Sequence, residues 1–120
     1  MREEVEIWWK FALRDLRSAK KNYEIEEYYV ASFLSQQAVE KALKSLLIKR
    51  TGRYSRIHDL TRLAKILNAP DEIIKLCANI TPAYTITRYP DVFSEIDKEE
   101  AENIIKDAEK VIEWVKKELK

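Results

Sequence analysis

The 120-residue sequence predicts an all-α fold, an up-and-down bundle of four main helices with a short additional helix. The chain has one glycine and three prolines, so few residues interrupt regular structure. Its apolar residues recur every three to four positions over long runs, which is the period of an amphipathic helix. With 46% hydrophobic residues, a chain of this length can form one core, and we expect a single domain over residues 1–120.

The first helix is predicted over about residues 3–23, where apolar and basic side chains form separate stripes. The apolar stripe comprises Val5, Trp8, Trp9, Ala12, Leu16, Ala19 and Tyr23. The basic stripe comprises Lys10, Arg14, Arg17 and Lys21. The apolar stripe is expected to face the core or a subunit interface, and the basic stripe to face solvent.

The second helix is predicted over about residues 27–50 and should end at Gly52. Lys49 and Arg50 complement the negative end of the helix, and glycine adopts the left-handed conformation without strain. One side carries Ala38, Val39, Ala42, Leu43, Leu46 and Leu47, and the other carries Gln36, Gln37, Glu40, Lys41, Lys44 and Ser45. Periodicity alone predicts that the polar side is solvated, with Glu40 pairing with Lys44 one turn later.

The remaining helices are predicted from their end signals. A short helix should cover about residues 59–67, and the next should have Pro70 at its first position, followed by Asp71 and Glu72 in its first turn. The last helix opens at Asp97, whose spacing to Glu100 fits a capping box. Its predicted inner face comprises Ala101, Ile104, Ile105, Ala108, Val111, Ile112, Val115 and Leu119.

No helical period is found over residues 82–96, so a long, non-helical segment is predicted there, and segments of that kind are often functional.

Charge and cysteine content narrow the classes of function. Lys and Arg total 22 against 21 Asp and Glu, so any electrostatic site must be local. The single cysteine, Cys77, excludes an internal disulfide and is predicted to be a small buried apolar residue. Charges interrupt the N-terminal segment from the second position on, which argues against a signal peptide or membrane span. We therefore expect a cytoplasmic protein that does not enter membranes.

Sequence motifs for common enzymes are absent. The chain contains no glycine-rich phosphate loop, HExxH pair or GxSxG motif. One histidine and one cysteine do not make a typical transition-metal site, so we expect neither a metal nor a cofactor.

The first candidate site is the turn "TGRYSRIHDL", where basic residues surround Tyr54. Guanidinium groups bind phosphate oxygens through paired hydrogen bonds, and a tyrosine ring can stack on a base. Helix-end charge complementarity and solubility explain the same residues equally well. The basic residues are Lys49, Arg50, Arg53, Arg56, His58 and Arg62.

The sequence contains two further candidates. In "TRYPDVF", Arg88 and Tyr89 precede a proline that favours extended backbone, so they suit phosphate and base recognition or fastening of the segment to the bundle. On the second helix, Gln37, Lys41 and Lys44 lie at offsets of four and seven and should point the same way. That surface is also typical of a solvated helix face.

The order of several segments resembles the HEPN domain family, the higher eukaryotes and prokaryotes nucleotide-binding domain. The segments are "WWKFALRDLRSAK", "YYVASFLSQQAVEKALKSLLIKR", "HDLTRLAKIL" and "TRYPD", followed by an amphipathic last helix. The resemblance implies a small helical bundle, usually a homodimer, that binds nucleotide or RNA. Small prokaryotic members are often encoded beside a minimal nucleotidyltransferase, and some such pairs behave as toxin and antitoxin.

Carried onto this chain, the resemblance implies functional roles for Gln37, Lys41 and Lys44, for His58, and for Arg88 with Tyr89. It also raises a nuclease alternative. Many members of the wider superfamily are metal-independent ribonucleases with an arginine, four to six intervening residues and a histidine, a spacing that Arg53 and His58 match. In those members the motif lies near the last main helix, whereas here it joins the second and third helices.

Some toxin relatives also have an adenylylated tyrosine after the histidine, and here Asp59 and Leu60 follow His58. Three functions stay open. The first is a binding subunit that uses Arg53, His58, Arg88 and Tyr89 and docks a nucleotidyltransferase. The others are a ribonuclease toxin using Arg53 and His58, and a purely structural partner subunit.

Overall fold

The computed structural model describes the backbone of residues 2–88 and 96–120 and the side chains of residues 2–81 and 96–120. These residues form five α-helices, which confirms the all-α prediction. The helices are α1 (Glu3–Glu24), α2 (Tyr28–Thr51), α3 (Leu60–Ile66), α4 (Asp71–Arg88) and α5 (Lys98–Leu119). The central helix is α2, since it contacts each of the other four.

Local sequence signals fix several helix ends. The Asp59 carboxylate accepts hydrogen bonds from the backbone N–H groups of Thr61 and Arg62 and so caps the start of α3. Asp97 accepts from the N–H of Glu100 at 2.8 Å, as its spacing predicted. α4 begins at Asp71, one residue later than predicted.

Gly52 ends α2 in the left-handed conformation, with φ of +73° and its N–H donating to the carbonyl of Ile48 at 2.8 Å. The two basic residues before it connect α2 to other helix ends. Lys49 donates to the carbonyl of Leu119, and Arg50 donates to the carbonyl of Leu67 and pairs with Glu118. Lys49 and Arg50 therefore have structural partners and are separated in role from the rest of the predicted basic cluster.

The prediction of a solvated polar side on α2 is wrong. Helices on several sides of α2, together with the chain after Gly52, enclose polar residues that have helical spacing. Burial without partners is costly, and five of the six side chains bond to one another or to their own helix. The exception is Ser32, whose hydroxyl has no hydrogen-bond partner among the described residues. The buried polar residues of α2 are Ser32, Ser35, Gln36, Glu40, Lys44 and Ser45.

The prediction that helix ends at Pro82 is also wrong, because the backbone of α4 remains helical to Arg88. A proline removes one backbone donor and disfavours a helix interior, but tertiary packing can override that preference. As a whole, α4 packs against α2, α3 and α5. Tyr89 and the remainder of the predicted segment up to residue 95 lie outside the described residues.

The core residues agree with the predicted apolar stripes. Val5, Ala12 and Ala19 of α1 are fully buried, as is Cys77 of α4. The basic stripe of α1 is exposed, as predicted. Over the described residues, no helix is both long and apolar enough to cross a bilayer.

Candidate functional site

Glu40 lies at the centre of a buried hydrogen-bond network. Its Oε1 accepts from Nε2 of Gln36 at 3.3 Å, and its Oε2 lies 3.0 Å from Nζ of Lys44 and 2.8 Å from Nδ1 of His58. The Gln36 Oε1 atom accepts in turn from Nε2 of Gln37 at 2.8 Å. We call these five residues, Gln36, Gln37, Glu40, Lys44 and His58, the Glu40 network.

Helical spacing and one helix cap bring the network together. Gln36, Glu40 and Lys44 follow one another at four-residue intervals on α2, so their side chains stack along one side of the helix. His58 comes from the connection between α2 and α3, immediately before the cap residue Asp59. The network therefore joins a rigid central helix to an exposed connection.

Exposure differs sharply among the charged members of the network. The side chains of Lys44 and Glu40 are 2% and 9% exposed, whereas that of His58 is 61% exposed. A ligand approaching from solvent would therefore meet the imidazole of His58 and not the ion pair behind it. This placement gives Lys44 a supporting role, in contrast to the ligand contact that the sequence suggested.

Two aromatic rings cover the Lys44 ammonium group. Nζ of Lys44 lies 5.4 Å from the ring centroid of Tyr54 and 5.8 Å from that of Trp8. The two rings also contact each other, with 5.3 Å between centroids. Ring faces attract a cation and exclude water from it, which strengthens the adjacent ion pair with Glu40.

His58 also lines a small pocket of about 230 Å³ beside the network. The other described residues that line it are Gln36, Asp59, Leu60 and Thr81, which come from α2, the start of α3 and α4. The pocket gives the exposed imidazole a neighbouring cavity, in which part of a small ligand could be held.

Cys77 is not a nucleophile for this site. Burial, together with the negative charge of Asp59, raises the pKa of its thiol to about 12. The thiol therefore remains protonated near neutral pH, and only the thiolate is reactive.

The three predicted site residues of α2, which are Gln37, Lys41 and Lys44, bond to different partners. Gln37 bonds to Gln36, and Lys44 bonds to Glu40. Lys41 instead forms an ion pair with the buried carboxylate of Asp15 on α1. Of the three, only Lys44 contacts His58, with 3.3 Å between Nζ and Nδ1.

Of the predicted arginines, Arg53 is described in full and Arg88 in its backbone only. Arg53 is exposed, and its backbone N–H donates to Oγ1 of Thr51 at 3.1 Å. Among the described residues, no hydrogen bond joins Arg53 to His58. Arg88 is the last residue of α4, and its side chain and all of Tyr89 lie outside the described part of the chain.

Sequence reasoning paired Glu40 with Lys44 correctly but did not identify Glu40 as a site residue. It also missed Trp8 as a cover for Lys44, and the pocket residues Leu60 and Thr81. One feature of the sequence indicated that the second helix is enclosed on more than one side. Apolar residues occur on more than one side of that helix. Within residues 2–81 and 96–120, no cluster of three or more His, Cys, Asp or Glu side chains is placed to hold a metal ion.

Comparisons with known proteins agree with this helical architecture. The family model described as HEPN domain matches residues 5–119. A crystal structure of an archaeal HEPN homologue is 35% identical, has a TM-score of 0.82, and is matched over 100% of both chains. A crystal structure of a protein from Thermus thermophilus is 26% identical, with a TM-score of 0.89 and coverage of 98% of this chain and 99% of that one.

A HEPN domain protein from Thermotoga maritima is also similar, at 25% identity and a TM-score of 0.73, with coverage of 93% of this chain and 96% of that one. None of the curated proteins matches the chain. Since the family model spans almost every residue, and a 35% identical homologue has the same extent, this chain belongs to the HEPN domain family.

Proposed function

We propose that this HEPN protein is a binding subunit that holds a phosphate group of a nucleotide or RNA at the surface around His58. The single observation that carries the proposal is the contrast within the Glu40 network. A 61% exposed imidazole is held from the inside by a carboxylate that is itself almost completely buried. Such a ring is fixed in place before a ligand arrives, which lowers the cost of binding.

Nearby residues supply groups suited to a phosphate ligand. Arg53 and Arg56 are exposed on the same connection, and guanidinium groups bind phosphate oxygens through paired hydrogen bonds. Tyr54 is 55% exposed, so its ring can contact a base. Arg88 and Tyr89 are proposed as further contacts because of the family resemblance alone.

The polar residues of α2 are proposed to support the site and not to contact the ligand. Gln37, Lys41 and Lys44 already have protein partners for their polar ends. We assign them to holding the site in shape, so their substitution should act through stability or through the orientation of His58.

A binding titration tests the proposal. Adenosine triphosphate and a short single-stranded RNA would be titrated into the wild-type protein and into Arg53→Ala and His58→Ala. Arg17→Ala is the matched control, since Arg17 is also an exposed basic residue but lies on α1. We expect severalfold weaker binding for the first two variants and unchanged binding for the control. Equal affinity in all four proteins, or none in the wild type, would contradict the proposal.

A ribonuclease activity is the second candidate, and the contact between His58 and Glu40 specifically favours it. A histidine oriented by a carboxylate can remove the proton of a ribose 2′-hydroxyl, and an arginine such as Arg53 can neutralise the charged transition state. Cleavage would be measured with a chelator present, for the wild type and His58→Ala prepared identically. Cleavage that is lost in the variant favours the nuclease, and cleavage that persists excludes His58 as its base.

We also propose, from the family resemblance, that the chain forms a homodimer and docks a minimal nucleotidyltransferase, as in a toxin and antitoxin pair. Exposed apolar side chains one turn apart on α1 support an interaction surface there, with Ile7 and Phe11 each 44% exposed. Light scattering of the wild type and Phe11→Glu tests self-association, and we expect the variant to shift toward monomer. Two results together would favour a purely structural partner role. Substitutions on α1 would disrupt self-association, and Arg53→Ala and His58→Ala would leave nucleotide and RNA binding unchanged.

A further inference from the structure

We infer that Glu40 is a positioning residue that selects the tautomer of His58, keeping the proton on Nδ1 and presenting Nε2 to the ligand. The ligand assignment rests on the proposed function, whereas the tautomer itself can be tested without any ligand. Glu40 does not need to touch the ligand for this role, since only His58 is well exposed.

The distances around Nδ1 determine where the proton lies. Nδ1 of His58 is 2.8 Å from Oε2 of Glu40, and that same oxygen is 3.0 Å from the Lys44 ammonium group. In that ion pair the Glu40 oxygen acts as a hydrogen-bond acceptor. Two lone pairs would repel at 2.8 Å, so the contact requires a proton on Nδ1.

A competing arrangement fits the distances less well. Lys44 could donate to Nδ1 at 3.3 Å, which would place the ring proton on Nε2. That arrangement would leave the unprotonated Nδ1 facing the Glu40 carboxylate at the shorter distance. Glu40 therefore has the stronger influence on the ring.

The environment of Glu40 resists rotation of its side chain. Gln36 and Lys44 donate to its two oxygens, and the rings of Trp8 and Tyr54 cover the Lys44 ammonium group. The orienting carboxylate is thus itself oriented, as is usual for histidines that must present one particular nitrogen.

The outward nitrogen defines the chemistry available to a ligand. In the neutral ring, Nε2 carries a lone pair and can accept a proton from a protonated phosphate or from a hydroxyl group. In the protonated ring, Nε2–H donates to a phosphate oxygen while Nδ1–H remains bonded to Glu40. The same nitrogen contacts the ligand in both protonation states.

Nuclear magnetic resonance can test the inference directly, because His58 is the chain's only histidine and its ring signals are unambiguous. Long-range proton–nitrogen spectra of the uniformly ¹⁵N-labelled protein distinguish the two tautomers of a neutral ring. In the wild type, with the ring neutral, we expect the Nδ1–H tautomer. A predominant Nε2–H tautomer would overturn the inference.

A double variant isolates the effect of Glu40. Glu40→Leu combined with Lys44→Met removes both members of the ion pair, so that no buried charge is left without a partner. Loss of the Lys44 contact at 3.3 Å cannot itself favour the Nε2–H form, so a shift of the ring toward that form in the double variant reports the loss of Glu40. Retention of the Nδ1–H form in the double variant would overturn the inference.

Addition of inorganic phosphate separates this inference from the proposed function. We expect phosphate to shift the Nε2 signal in the wild type, with severalfold weaker affinity in the double variant. Equal affinity in the two proteins would overturn the positioning role in binding. Absence of any phosphate effect in the wild type would instead contradict the proposed function, and the tautomers would still decide the role of Glu40.

Discussion

Lys44 and Glu40 lie one turn apart on α2 and form an ion pair with 3.0 Å between Nζ and Oε2, although both side chains are almost fully enclosed. A buried charge depends on its partner, because water does not replace a lost contact. The pair therefore ties the stability of the fold to the orientation of the exposed His58.

Removal of one member of this pair should be strongly destabilising. We expect Lys44→Met to lower the free energy of unfolding by about 3–5 kcal/mol, because Glu40 is left as a buried charge without its main counter-ion. Chemical denaturation followed by circular dichroism measures this loss.

Lys106→Met is the matched control for that experiment. Lys106 and Glu102 form an ion pair of the same spacing and nearly the same length, 3.1 Å, but the two side chains are 62% and 45% exposed. Solvent screens such a pair, so we expect only a small change in stability. Equal losses in the two variants would show that burial does not distinguish the pairs.

Gly52→Val should destabilise the protein by on the order of 1 kcal/mol or more, because a β-branched side chain is strained in the left-handed conformation. The φ of Gly52 is +73°, and an added Cβ would also lie 3.1 Å from the side chain of Arg2. Gly52→Asn should cost less, since asparagine tolerates this conformation better. Thermal unfolding that fails to separate valine from asparagine would count against backbone strain as the cause.

Asp59→Ala should cost about 1 kcal/mol, because it removes the acceptor for the first backbone N–H groups of α3. Asp59→Asn retains an acceptor oxygen without the charge and should retain most of the stability. Urea denaturation of both variants makes the comparison. Equal loss in the two variants would indicate that the charge, and not the cap, matters.

Cys77 should resist alkylation in the native protein and react fully after denaturation. Burial and the charge of Asp59 raise the pKa of its thiol to about 12, and an unfolded cysteine ionises near about 8.5. A matched reporter is Ala78→Cys in a Cys77→Ala background, since residue 78 is exposed and a cysteine there should react rapidly. Rapid modification of native Cys77 at about pH 8 would contradict its burial.

The raised pKa of the Cys77 thiol also determines how its contribution to the free energy of unfolding changes with pH. Below about pH 8.5 both folded and unfolded chains keep the thiol protonated, so the contribution of Cys77 is fully present. As the pH rises toward the folded value of about 12, only the unfolded chain loses the proton, and the contribution falls. Comparison with Cys77→Ala across this range isolates the effect.

Helix ends were predictable because their signals are local. Gly52 and Asp97 each act on a backbone group within four residues, so their roles could be assigned from sequence. The burial of α2 was not predictable in the same way, since it depends on which helices surround that segment. The extension of α4 past Pro82 was likewise not predictable from local signals, since a proline disfavours a helix interior.

The same distinction between local signals and contacts distant in sequence applies to the candidate site. The basic turn and His58 stood out because unusual residue types occur close together in sequence. Glu40 precedes His58 by 18 positions, and their contact depends on how the chain returns to α2 after Gly52. Periodicity placed Glu40 and Lys44 on one side of a helix but could not show that the side is enclosed.

The connection between α2 and α3 has an independent anchor at each end, in Gly52 and in Asp59. Residues 53–57 can therefore change without altering where α2 ends or α3 begins. Under the proposed function, Arg53 and Arg56 can change and alter the ligand contacts without moving either helix, whereas Tyr54 and His58 are constrained by their contacts with Lys44 and Glu40. We accordingly propose the two exposed arginines of this connection as the place where binding preference can change while the bundle stays the same.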